Sequence, residues 1–81
     1  MGGRKPTVSD EEILSILVTS DDPVLAATEV SESLSIGQTG TYRRLRRLEE
    51  EGLVASKKIG QGRAWWVTDD GRVVVEESAE A

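Results

Sequence analysis

The chain has no cysteine, no histidine and no phenylalanine, and its only aromatic residues are two tryptophans and one tyrosine. Without cysteine there is no disulfide framework and no thiol switch. Without histidine as well, a zinc site of the usual Cys/His kind and a Ser-His or Cys-His nucleophile are excluded. Apolar runs are short: Val24–Ala27 and Ala64–Val67 are among the longest. Runs of this length build neither a membrane-spanning helix nor a signal peptide, so the expectation is a soluble cytoplasmic protein without a membrane partner. Its 81 residues, 37% of them hydrophobic, suffice for one small domain around a thin core. No acid–base pair sits in a plausible pocket, so neither an enzyme nor a bound cofactor or metal is expected.

Net charge is −5, which by itself argues against a nucleic-acid partner. The charge is unevenly spread, however. Residues 38–63 hold seven bases against three acids, whereas residues 1–37 and 64–81 are both strongly acidic. Seven of the ten bases are arginine. An acidic, lysine-poor and aromatic-poor chain of this kind resembles proteins of a high-salt, halophilic cytoplasm.

Residues 1–8, with Gly2, Gly3 and Pro6, read as a disordered N-terminal arm. Ser9 and Glu12 have the spacing of a capping box, and Val8 and Ile13 that of a hydrophobic staple. Asp10, Glu11 and Glu12 place negative charge at the positive end of the helix that follows. Ile13, Leu14, Ile16 and Leu17 give that helix its apolar stripe. Val24–Ala27 reads as a small strand or an extended link. Thr28 is placed to cap a second helix over about 29–34, with Val30 and Leu34 inward. Ser35, Ile36 and Gly37 form a tight turn plugged by Ile36. A third helix runs from about Gln38 to Glu51, with Gly52 in the position that favours a left-handed cap. Beyond it the period changes from helical to two. Leu53–Ile59 and Ala64–Thr68 read as paired strands joined by a loop over 60–63. Thr68, Asp69 and Asp70 resemble a further cap and acidic first turn. The β-branched run Val73–Val75 leaves a short helix and a docked extended tail equally open. The domain is expected over 9–75, with a flexible acidic tail over 76–81.

Helix three carries Arg43, Arg44, Arg46 and Arg47 within five residues. At about 100° per residue, with Leu45 and Leu48 inward, Thr39, Arg43, Arg46 and Glu50 point outward. Tyr42 and Arg47 flank that face, and Arg44 lies at the core edge. Bases gather early in the helix and Glu49–Glu51 at its end. That order opposes the helix dipole and makes sense if an external anion meets the first half. A recognition helix in a DNA major groove has this polarity. The alternative is a solvated face in which Arg46–Glu50 and Arg47–Glu51 pair at about 0.2–0.5 kcal/mol each. Gly40 either packs closely on helix two or lets a phosphate approach. Lys57, Lys58 and Arg63 mark the hairpin either as a phosphate-touching wing or as an edge strand with basic gatekeepers. Adjacent Trp65 and Trp66 face opposite sides of a strand. Trp65 is assigned to the core, and Trp66 to a helix end, a partner subunit or solvent.

The stretch Ala27–Gln38 resembles the first helix and turn of a helix-turn-helix. Thr41-Tyr42-Arg43-Arg44-Leu45-Arg46-Arg47-Leu48, continuing to Val54, closely resembles the recognition helix and following strand of winged helix-turn-helix transcription regulators of the MarR-like and ArsR-like, archaeal type. Gly62–Arg72 is similar to their wing return and final helix start. Three positions depart from the pattern. Ser35 stands where glycine is common, Gly37 where a capping Ser or Thr is usual, and Thr41 where a larger apolar residue is usual. The resemblance implies an α+β, mainly α fold, with a three-helix core and a two- or three-stranded β wing. It also implies sequence-specific binding of double-stranded DNA. Gln38, Thr39, Tyr42, Arg43 and Arg46 would then serve the major groove, and Arg47, Lys57, Lys58 and Arg63 the phosphates. The competing reading is a winged-helix adaptor for protein–protein contacts without direct DNA binding. A homodimer is compatible with the family, with helix one, Trp66 or Val73–Val75 as the contact.

Overall fold

A computed structural model describes residues 8–80. The chain forms α1 (Asp10–Thr19), α2 (Ala27–Ser31), α3 (Gln38–Glu50), β1 (Val54–Ile59), β2 (Gly62–Val67) and α4 (Asp69–Glu80). This is the expected winged helix-turn-helix: a mainly helical α+β domain with one two-stranded antiparallel sheet. Among the described residues no helix is long and apolar enough to cross a membrane.

Local chemistry explains most boundaries. Ser9 Oγ accepts from the Glu12 amide at 3.2 Å, and the Glu12 carboxylate accepts from the Ser9 amide at 3.0 Å, closing the capping box of α1. Val8, assigned by sequence to the arm, is buried and belongs to the core together with Ile13. The rest of that arm lies outside the described residues. At the C-terminal end of α3, Gly52 adopts φ +82°. Its amide donates to the Glu49 carbonyl at 3.0 Å and the Leu53 amide to the Leu48 carbonyl at 3.0 Å, so α3 ends in a complete Schellman motif.

Four expectations are corrected. First, α2 begins at Ala27, and Thr28 lies inside it without capping it. The Glu29 carboxylate accepts from the Ala26 amide at 2.8 Å and sets the start two residues early. Second, the hairpin loop shrinks to Gly60–Gln61, with Ile59 paired to Gly62. Gly60 at φ +59° supplies the left-handed first position that a two-residue reversal needs. Third, the turn before α3 contains no non-glycine residue with positive φ, so Ser35 substitutes for glycine without backbone strain. Ile36 is half-buried there, not a fully buried plug. Fourth, α4 continues through Glu80, so the boundary expected at 75 falls inside a helix.

Ile13, Leu14, Val30, Leu45, Leu48, Val54 and Trp65 are almost fully removed from solvent and form one core between α1, α2, α3 and the sheet. Each aliphatic side chain of this set contributes roughly 1.5–3 kcal/mol by burial. Residues 24–26 form an extended link with a single bridge, and Ala27 already opens α2. Leu25 and Trp65 exchange backbone hydrogen bonds of 3.0 and 2.9 Å. Trp66 is half-buried on the opposite face of β2, in a groove with Leu17, Val18 and Pro23 where α1 ends.

The junction to α4 is tight. Thr68 Oγ1 donates to the Gly52 carbonyl at 2.7 Å and accepts from the Gly71 amide at 3.1 Å, while the Thr68 amide donates to the Leu53 carbonyl at 3.1 Å. Gly71 is buried, and a Cβ there would lie 2.1 Å from the Leu53 carbonyl oxygen. Val74 and Val75 pack against the core, which outweighs the modest helix propensity of a valine run.

Two measurable consequences follow. Gly71→Ala drives a methyl group into backbone that cannot step aside, and is expected to lower unfolding free energy by about 1–3 kcal/mol in urea titration. An unchanged urea midpoint would contradict this packing. Thr41 is fully buried and its hydroxyl has no hydrogen-bond partner. Thr41→Val, of similar volume, is expected to raise stability by about 1 kcal/mol in the same titration.

Candidate nucleic-acid interface

Helix α3 turns Thr41, Leu45 and Leu48 into the core. The same 3.6-residue period leaves Gln38, Thr39, Tyr42, Arg43, Arg46, Arg47 and Glu50 exposed, as the wheel predicts. Arg44 behaves differently from its neighbours. Its side chain is half-buried and its guanidinium meets the Asp10 carboxylate at 2.6 Å, tying α3 to the first turn of α1. It is a brace of the fold and not part of the outward face. Gly40 has Ile36 carbon atoms 3.7 Å from where a Cβ would sit, an ordinary van der Waals distance.

The arginines of the outward face are not equivalent. Arg43 forms no ion pair among the described residues. Arg47 faces Glu51 at 3.7 Å with its side chain 72% exposed, as the i,i+4 spacing predicts. Arg46 departs from expectation: its partner is Glu49 at 3.6 Å and not Glu50. Its Nη1 also donates to the Tyr42 hydroxyl at 3.4 Å. That hydrogen bond, and then the nearby Glu49 and Glu50 carboxylates, hold Arg46 above the usual arginine pKa. Tyr42 and Glu49 together give the exposed Arg46 guanidinium a preferred direction.

Strand register sorts the three wing bases. Lys58 lies directly across from Arg63, on the sheet face that also carries the Ser56–Trp65 and Val54–Val67 pairs. Lys57 lies across from Ala64 on the opposite face, with Ala55 and Trp66. Lys58 and Arg63 thus share one side with the core and with α3, and Lys57 does not. Between them runs a groove of about 480 Å³, walled by Tyr42 of α3, Thr28 of α2, and Lys58, Gln61 and Arg63 of the hairpin, with Trp65 at its base. The Tyr42 and Trp65 rings meet edge to face, with centroids 5.9 Å apart. This contact fixes the side of the helix that carries Arg46 against the sheet that carries Arg63.

The site includes residues that the sequence reading passed over. Thr28 lies on the groove wall and not at a helix cap. Ser56 had no assigned role, yet its hydroxyl donates to Glu49 at 2.7 Å and accepts from Arg63 at 3.0 Å. The period of two does place Ser56 on the face of Trp65 and was the one available signal for it. Arg63 is half-buried as a result, while Lys57 and Lys58 are exposed.

Chemically, the arrangement offers a row of guanidinium and hydroxyl donors on a helix of major-groove width, with two cations across a groove from it. Backbone phosphates and base edges are the matching acceptors.

Comparison with known proteins agrees with this geometry. No curated protein matches the chain in sequence. Among solved structures, BpsR of Bordetella bronchiseptica, whose DNA binding is regulated by 6-hydroxynicotinic acid, is similar with a TM-score of 0.79 and 24% identity, covering 98% of this chain and 56% of that one. Sco5413, a MarR family transcriptional regulator from Streptomyces coelicolor, is similar with a TM-score of 0.78 and 31% identity over 88% of this chain and 50% of that one. AF1382 from Archaeoglobus fulgidus shares the fold with a TM-score of 0.75 at 14% identity, over 88% of this chain and 79% of that one. The chain therefore spans about half the length of the first two proteins. Residues 7–55 match the family model described as winged helix-turn-helix DNA-binding. That match takes in α1, the α2–α3 pair and the start of β1, more than half of the chain, and the protein belongs to the winged helix-turn-helix DNA-binding family.

Proposed function

We propose that this protein is a cytoplasmic transcription regulator that binds double-stranded DNA, with α3 in the major groove and the hairpin on the sugar–phosphate backbone. The observation that carries the proposal is the placement of Arg43 and Arg46 on the exposed face of α3, the helix whose Tyr42 walls one groove together with Lys58 and Arg63 of the hairpin. Thr39, Tyr42, Arg43 and Arg46 face base edges, and arginine at a base edge most often reads guanine. Gln38 stands beside them at the start of the helix. Arg47, Lys58 and Arg63 hold phosphates on the α3 side, and Lys57 reaches the backbone from the outer side of the wing. The similarity to a MarR family transcriptional regulator supports a regulatory role.

The acidic remainder of the molecule shapes how it binds. A net charge of −5 weakens long-range attraction to a polyanion, so contact depends on the local basic face. A regulator built this way discriminates against loose, sequence-independent association more than a uniformly basic one does.

Two experiments test the reading. In fluorescence-anisotropy titrations with duplex DNA, log affinity should fall with log salt at a slope of about −3 to −4, as expected for three or four phosphate contacts. Lys58→Ala should reduce that slope by about one. A slope near zero would point to the adaptor reading instead. Once a specific duplex has been selected, Arg43→Ala and Arg46→Ala should each cost about 1–3 kcal/mol of binding. Arg44→Ala should lower fold stability by no more than about 1 kcal/mol and leave the sequence preference intact. Equal binding by all three variants would contradict the docking.

A further inference from the structure

Five side chains form one continuous run across the proposed interface. Arg46 donates to the Tyr42 hydroxyl at 3.4 Å and faces Glu49 Oε1 at 3.6 Å. The second Glu49 oxygen, Oε2, accepts from the Ser56 hydroxyl at 2.7 Å, and that hydroxyl accepts from Arg63 Nη1 at 3.0 Å. The run begins on α3, crosses β1 through Ser56 and ends on β2. It joins one arginine of the helix to one arginine of the wing.

We infer that Glu49 and Ser56 are positioning residues that set the separation of Arg46 and Arg63 before DNA arrives. The inference rests on the DNA-binding reading above. Three observations carry it. An acid beside a polyanion is unfavourable unless it does something else, and Glu49 is engaged on both oxygens, by Ser56 and by Arg46. Arginine loses rotamer entropy when immobilised, so a guanidinium already held in place binds phosphate at lower cost. Finally, Ser56 sits directly opposite fully buried Trp65, where only a small side chain leaves Glu49 and Arg63 room to reach the same atom. A hydroxyl donates to a carboxylate and accepts from a guanidinium at once, which alanine, lysine or an ionised acid in its place does not.

The test is a double-mutant cycle on a random-sequence duplex at one fixed, moderate salt concentration, with thermal midpoints recorded for every variant. Ser56→Ala should weaken binding about three- to tenfold, the effect of one hydrogen bond to a charged group. Ser56→Thr keeps the hydroxyl and should bind like the parent. Arg63→Ala should cost at least threefold less in the Ser56→Ala background than in the parent. Glu49→Ala supplies the sign. Removing a bystander acid tightens binding to a polyanion, whereas losing a positioning group weakens it. Multiplicative effects of Ser56→Ala and Arg63→Ala, or tighter binding by Glu49→Ala, would overturn the inference while leaving the DNA-binding reading in place. Failure of the parent protein to bind any duplex would overturn both.

Discussion

The arrangement of this domain depends on Trp65. Its backbone exchanges two hydrogen bonds with Leu25, its side chain is fully buried, and its ring meets that of Tyr42 edge to face. The first contact fastens the hairpin to the link before α2, the second seats the hairpin on the core, and the third orients it against α3. A two-stranded hairpin is marginal alone in water. Here one residue makes it a rigid extension of the helical core. Its indole nitrogen is buried without a partner, a cost of about 1–3 kcal/mol that the large apolar area of the ring offsets.

Charge and fold are handled by separate residues. Every arginine of α3 other than Arg44 projects away from the core, so the basic face could be rewritten without disturbing the packing. Arg44 alone is used structurally, through Asp10. Acidic residues occupy the first turns of α1, α2 and α4, where the helix dipole favours them, and so stabilise the scaffold while lowering the overall charge. The concentration of positive charge on one surface is therefore compatible with an anionic molecule.

Elements whose ends are set by neighbouring residues were legible in the sequence. Ser9 with Glu12 marked the start of α1, Gly52 the end of α3, and the change of period at Leu53 the hairpin. Elements set by distant contacts were not. Nothing local signals that Leu25 bridges Trp65 or that Gly71 must pass within van der Waals distance of the Leu53 carbonyl. The start of α2 lies two residues before the expected one because the Glu29 carboxylate takes the Ala26 amide, which leaves Thr28 inside the helix. The outward face of α3 followed from the helical period alone. The sequence groups Lys57, Lys58 and Arg63 as one set of wing bases, and the strand register is what puts Lys57 on the opposite face from Lys58 and Arg63. Helical spacing allows Arg46 either Glu49 or Glu50 and does not choose between them, and the role of Ser56 depends on side chains of α3, β1 and β2 meeting, which no spacing rule encodes.

The contact between Gly71 and the Leu53 carbonyl also has a mechanical meaning. Thr68 and Gly71 clamp the first turn of α4 onto Gly52 and Leu53, the two residues that terminate α3. With no methyl-sized gap at this joint, the first turn of α4 is held directly against the residues that close α3. α4 and the close of α3 therefore share one tightly packed anchor.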